Sequence, residues 1–149
     1  MSTLSSTAKE RRQGSHELVA KLVKERTEML VTFCRLAGVE PYTVEKPVQK
    51  LLQEFCQILI DYVAAGHFAL YERILEGKER RQEVAAIAAK IYDRIALSTQ
   101  HALDFNDKYD CGDHCTALES LSKDLSRLGE DLAVRIELED KLLAAMSRR

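Results

Sequence analysis

The chain has 149 residues, 46% hydrophobic and 31% charged, with 6 Gly, 2 Pro and 4 Cys, a composition that fits one soluble, helix-rich domain able to bury a core. Its net charge of −2 is uneven: residues 1–50 carry 9 basic and 6 acidic side chains, residues 51–149 carry 13 and 18, and residues 104–140 hold 11 acidic against 4 basic. That balance argues against a direct nucleic-acid partner, which needs a basic patch, and suits a basic protein surface.

Residues 1–14 are polar, contain Arg11-Arg12 and show no periodicity, so they read as a disordered N-terminal tail, with residues 15–147 as a single helical-bundle domain. Ser15 is placed as the N-cap of a first helix that runs to about Ala37 and stops at Gly38. Leu18, Leu22, Met29, Phe33 and Leu36 recur along it at helical spacing, and Arg26 projects into the same arc beside Val19, Val23 and Leu30. After a loop containing Pro41, a second helix starts near Pro47 and buries Leu51, Leu52, Phe55, Ile58, Leu59 and Tyr62, with Glu54 and Asp61 on one flank.

The stretch from Asp61 to Leu75 then crowds Asp61, Tyr62, His67, Tyr71, Glu72 and Arg73 around Gly66. Glycine tolerates positive φ, so Gly66 is expected to pivot the chain into a short third helix that turns Phe68, Tyr71, Ile74 and Leu75 inward and ends at Gly77. So much polar chemistry reads either as a corner held by its own hydrogen bonds or as a recognition site.

A fourth helix follows over roughly 79–109, with a seam of Val84, Ala88, Ile91, Ile95, Ala102, Phe105 and Tyr109. Asp110-Cys111-Gly112-Asp113 makes a turn, and a last helix from about 115 to 146 carries Leu118, Leu121, Leu125, Leu128 and Leu132. Extending that pattern puts Arg135 and Glu139 on the apolar seam before Leu142 restores it. Strand signals are nearly absent. The predicted fold is all-α, an up-down-up-down four-helix bundle with the short extra helix after Gly66 closing one end.

Arg26, Arg135 and Glu139 therefore sit where a bundle wants leucine, with Asp61 at a stripe's edge. Unpartnered buried charge is expensive, so these groups should find one another near one end of the bundle, as an ion-pair network either structural or functional.

Other chemistry is weaker. Cys111, His114 and Cys115 offer one short ligand cluster with no second pair downstream, so a capped turn with incidental thiols is preferred over zinc. Asp104 opens a stretch like a calcium loop, but Lys108 and Cys115 stand where ligands belong. None of His16, His67, His101 and His114 follows a Glu by three residues, as a di-iron bundle requires, and no phosphate loop or nucleophile elbow occurs. No metal, cofactor or catalytic site is expected. A histidine phosphotransfer bundle using His67 is the alternative, with a metal-dependent bundle using Cys111, His114 and Cys115 as a second rival; against the first, His67 is expected to be buried, and against the second, Cys111 and Cys115 are expected too far apart to share an ion. Residues 1–7 lack the basic start and apolar core of a signal peptide, and no run reaches the ~18–20 apolar residues of a membrane span, so the expected location is cytoplasmic, with four free thiols.

Asp61-Tyr62-Val63-Ala64-Ala65-Gly66-His67-Phe68, followed by Tyr71-Glu72, resembles the signature of the Rsd/AlgQ family of bacterial anti-sigma factors. Arg135-Ile136-Glu137-Leu138-Glu139-Asp140-Lys141-Leu142 is similar to that family's second block, and Leu125 to Glu130 and the Gly14-Ser15 start also fit. The resemblance covers about residues 14–146. It implies a non-enzymatic helical bundle that binds region 4 of the primary sigma factor and blocks its use of promoter DNA and core RNA polymerase, favouring alternative sigma factors; a monomer is the expected state. It also implies a role for Asp61 in sigma binding. His67, Phe68, Tyr71 and Glu72 are expected to form or support the surface around Asp61, above an interior network of Arg26, Arg135 and Glu139. One departure stands out: Ala20-Lys21-Leu22 occupies the place of the family's usual Asp-Arg-Trp.

Overall fold

The computed structural model describes the backbone of residues 2–40, 42, 46–72, 81–110 and 118–147, and their side chains from His16 onward except those of Lys46, Phe68 and Ser147. Within these residues the chain is all-helical: α1 (Ser2–Ala37), α2 (Lys46–Gly66), a π-helical turn (His67–Tyr71), α3 (Gln82–Tyr109) and α4 (Leu121–Ser147). Consecutive helices pack on one another, α1 on α2, α2 on α3 and α3 on α4, the arrangement of antiparallel neighbours joined in series.

The expected bundle is borne out, and its seams largely coincide with the periodic residues. Val84, Ala88, Ile91, Ile95, Ala102, Phe105 and Tyr109 of α3 are all buried, joined by Ser98. In α4, Leu121, Leu125, Leu128, Leu132 and Leu142 are buried, and so are Arg135 and Glu139. Pro47 lies in the first turn of α2, where its missing N–H has no helical partner to lose. At the end of α1 the Gly38 N–H donates to the Cys34 carbonyl at 3.0 Å.

Several expectations fail for physical reasons. The helix α1 begins at Ser2, which makes Ser15 an interior residue and not a cap; Ala8 to Gln13 is a run of good helix formers that continues the same turn. Leu18 is 41% exposed, because the core face of α1 is carried by Leu22, Met29 and Leu36. Leu118 is buried ahead of α4 but is not helical; Ser120 closes the turn, its carbonyl accepting the Asp124 N–H at 2.8 Å. Gly66 does not pivot the chain: with φ −61° and ψ −45° it continues α2 directly into the π turn. Ile74, Leu75 and Gly77, assigned to the short extra helix, lie outside the described residues.

The interior has two ends of different character. At one, Phe33, Phe55, Phe105 and Tyr109 form a chain of rings from α1 through α2 to α3, with centroids 5.9, 5.7 and 4.7 Å apart in turn. Gly129 lets α4 close over it, since a Cβ there would stand 2.8 Å from the Phe33 ring. The Tyr109 hydroxyl and the Lys108 ammonium both donate to the Asp124 carboxylate, at 2.5 and 2.6 Å, and tie α3 to the start of α4. The other end is polar.

Candidate functional site

At the polar end, Glu139 of α4 is fully buried and holds the centre. Its Oε1 accepts from Arg135 Nε at 2.9 Å, one helical turn earlier, while its Oε2 accepts from Arg26 Nη2 of α1 at 3.1 Å and from the Tyr62 hydroxyl of α2 at 2.5 Å. Arg135, only 1% exposed, also donates through Nη1 to Thr99 Oγ1 at 2.7 Å and Ser98 Oγ at 3.2 Å on α3, and its guanidinium lies 5.4 Å from the Tyr62 ring centroid. Arg26 reaches outward through Nη1 to Asp140 at 2.8 Å. Two guanidinium and two carboxylate groups thus share one cluster with no net charge, and every helix contributes.

The protonation states follow from burial and charge. Burial pushes the Tyr62 phenol far above its ordinary range and the Glu139 carboxylate adds to this, against the opposing pull of Arg135, so Tyr62 keeps the proton it donates. Tyr71 is shifted the same way by burial and by Glu139. Burial works to lower the Arg135 value, but the Glu139 carboxylate outweighs it, by charge and by hydrogen bond, and holds the guanidinium charged. The Tyr71 hydroxyl and Arg26 Nε are buried with no hydrogen-bond partner among the described residues.

Gly66 is required here for closeness. A Cβ at that position would stand 3.0 Å from Arg135 Nη2, 3.5 Å from Glu139 Oε1 and 3.7 Å from Leu22 Cδ1, so α2 lies directly on the ion cluster. The π turn that follows, in which the Glu72 N–H donates to the His67 carbonyl, widens the helix by a residue. Ala69, Leu70 and Tyr71 are all buried in succession as a result, which one face of a regular α-helix does not accommodate.

Above this cluster, α1 and α2 leave a groove of about 410 Å³ lined by Leu18, Lys21, Glu25, Asp61, Ala64 and Ala65. Asp61 is exposed and is oriented by Gln57, whose Nε2 donates to its Oδ1 at 3.1 Å. His67 is exposed, contrary to the expected burial, because the unbroken helix carries it to the outer side of α2; Glu72 is half-buried. Tyr71 is 5% exposed and belongs beneath the surface. The backbone of Phe68 lies in the π turn, and its side chain is outside the described residues. Within the departure at Ala20-Lys21-Leu22, Lys21 lines the groove and Leu22 is fully buried against Gly66, so the change touches both the groove and its support.

Arg26, Arg135 and Glu139, singled out by position, meet in direct contact. Tyr62 as the Glu139 donor, and Ser98 and Thr99 as Arg135 acceptors, were not singled out for those roles. Ser98 carried a usable signal: it falls between Ile95 and Ala102 on the α3 seam, where a hydroxyl needs a partner. Cys111, His114 and Cys115 lie outside the described residues; among the described ones no group of three or more metal-ligating side chains gathers. The Cys56 thiol is pushed up to about 12 by burial, with a contribution from Asp110, and is inert at neutral pH. No helix among the described residues is long and apolar enough to cross a membrane.

Fold and site together define an all-α bundle whose ion-paired core underlies an open, acid-bearing groove. That class has a family: the one described as "Regulator of RNA polymerase sigma(70) subunit, Rsd/AlgQ" matches residues 1–147, and the chain belongs to it. Among similar proteins, the regulator of sigma D of Shigella boydii serotype 4 is 40% identical over 138 residues, covering 90% of this chain and 86% of its own. Those of Shigella dysenteriae serotype 1 and Escherichia coli K12 / DH10B are each 39% identical over the same 138 residues and shares.

Proposed function

We propose that this chain is an anti-sigma factor that binds region 4 of the primary sigma factor in the cytoplasm, one to one. Binding denies that region to promoter DNA and core polymerase and favours alternative sigma factors. It acts by occupying a surface, without catalysis. The observation that carries this reading is the family match over residues 1–147. Asp61 is the first contact, at a groove whose wall also bears Glu25 and Lys21, and the two carboxylates against one ammonium suit the basic face of a DNA-reading partner. His67, Phe68 and Glu72 extend the surface along the π turn. Tyr71, Arg26, Arg135 and Glu139 act from below by fixing α1 against α2.

The test is calorimetric titration of the isolated C-terminal region of the host's primary sigma factor into the wild type and Asp61→Ala. Tight one-to-one binding that the substitution weakens about tenfold or more is expected, the order of a lost interfacial charge. Binding indifferent to Asp61→Ala moves the site; no binding by the wild type refutes the function. The phosphotransfer alternative gains one observation, the exposure of His67. Acid-labile phosphate on His67 after incubation with a phosphodonor would replace the present reading.

A further inference from the structure

A second groove, of about 460 Å³, lies between α3 and α4 and involves neither of the helices that line the first. Ile87 and Ile91 of α3 and Leu138 of α4 form its floor, Ala144 stands at its side, and Lys90, Arg94 and Lys141 form its rim. Among the described residues no carboxylate lines it. The three cations are exposed, and none has an ion pair or hydrogen bond among the described residues.

That arrangement is unfavourable for the isolated chain. Lys90 and Arg94 are one turn apart on the same face, where like charges repel, and although Asp93 and Glu137 stand at helical spacing from Lys90 and Lys141, neither is drawn into an ion pair with them. Instead, Ile87, Lys90, Ile91 and Arg94 fall at positions i, i+3, i+4 and i+7, so a single face of α3 interleaves apolar and cationic groups over about 10 Å. A complementary ligand presents apolar side chains at helical spacing between flanking carboxylates, with a contact length of about two turns.

We propose that this groove is a second docking surface, which takes an acidic amphipathic helix from a protein partner. The partner's apolar side chains enter over Ile87, Ile91 and Leu138, and its carboxylates pair with Lys90, Arg94 and Lys141. The protein then has two docking faces of opposite preference, the α1–α2 groove for a basic surface and the α3–α4 groove for an acidic helix.

The probe is a displayed library of random 14-residue helical peptides, selected on the full chain. Enriched peptides are expected to carry Asp or Glu beside Leu, Ile or Phe at i, i+3 or i+4, and i+7. When synthesised, they should lose at least about tenfold in affinity for the variant Lys90→Glu/Arg94→Glu/Lys141→Glu, and should weaken as salt shortens the Debye length. The exposed substitution Ala144→Glu, which adds a carboxylate to the groove without touching its floor, should lower affinity in the same direction. Circular dichroism identical to the wild type verifies that both variants fold. Enrichment without an acidic bias, or affinity unchanged in the triple variant, overturns the proposal. Two further outcomes also overturn it: saturable binding of dodecanoate that the triple reversal abolishes while no peptide binds gives the groove to a fatty acid, and a dimer in sedimentation that the reversal dissociates gives it to a second copy.

Discussion

The buried pair of Arg135 and Glu139 makes a quantitative demand on this fold. Glu139→Leu removes the carboxylate that Arg135, Arg26 and Tyr62 share and leaves the Arg135 guanidinium, 1% exposed, facing only two hydroxyls and a ring. Stranding a buried charge in this way costs about 3–5 kcal/mol. Arg135→Met costs toward the lower end of that range, about 3 kcal/mol, because Glu139 keeps Arg26 and Tyr62 on its other oxygen. The double variant has neither charge. It loses the partners of Tyr62, Ser98 and Thr99, about 1–3 kcal/mol, well short of the roughly 6–8 kcal/mol that the single changes sum to. A coupling of at least about 3 kcal/mol should therefore appear in a double-mutant cycle. Urea unfolding followed by circular dichroism at pH 7 measures it, and unchanged m-values verify that the same surface is exposed in each variant. Additivity within about 0.5 kcal/mol would refute the reasoning, since it would mean that water screens the two groups from each other. The folded double variant also tests the role of the cluster: if it supports the α1–α2 groove, sigma binding falls although stability is largely kept.

Gly66→Ala should destabilise the protein by about 1–2 kcal/mol in urea titration, because overpacking against the locked Arg135 outweighs the helix propensity gained, and a gain in stability would sink this account. Tyr62→Phe should cost about 1.5–3 kcal/mol, the worth of a hydrogen bond to a buried carboxylate, whereas Tyr71→Phe should be neutral or stabilising because its hydroxyl has no partner among the described residues; equal thermal shifts for the two would contradict the assigned contacts. The Lys108 ammonium, then the Tyr109 hydroxyl, hold the Asp124 carboxyl below its ordinary value of 3.8. Its folded value is depressed, so its contribution is complete above 3.8 and is lost as pH falls through the folded value. The stability gap between wild type and Asp124→Asn should accordingly be constant from pH 7 to about 5 and shrink below about 4; a gap that widens on acidification would reverse the sign.

The bundle was legible because its seams obey a period that survives any tertiary detail: Leu118 to Leu132 and Val84 to Tyr109 announce which faces are buried. The same period exposed Arg135 and Glu139, since a charge on a leucine stripe must meet a partner. Their partners were harder to read. Tyr62 looks like an ordinary core aromatic until the Glu139 oxygen is placed beside it, and Thr99 lies off the α3 seam and joins through the length of Arg135. Gly66 was misread because glycine has two uses, positive φ and missing volume, and sequence does not distinguish them. Leu18 was misplaced because α1 carries apolar residues over a wide arc, among them the exposed Val23, Leu30 and Val31, which blurs the boundary of its buried face.

The contact between Arg26 and Glu139 joins residues 113 positions apart. During synthesis at about 5–20 residues per second, Glu139 is added roughly 6–23 s after Arg26. Over the later part of that interval, once α2 has been made, α1 and α2 are free to pair through Leu22, Met29, Phe55 and Leu59, while the Arg26 guanidinium remains hydrated and the Tyr62 hydroxyl has no carboxylate. The nascent hairpin already bears Asp61, but not the ion cluster that fixes the groove around it. For the proposed sigma-binding surface, competence would therefore be set late, when the last helix docks on the α1–α2 hairpin and closes the ion cluster beneath it.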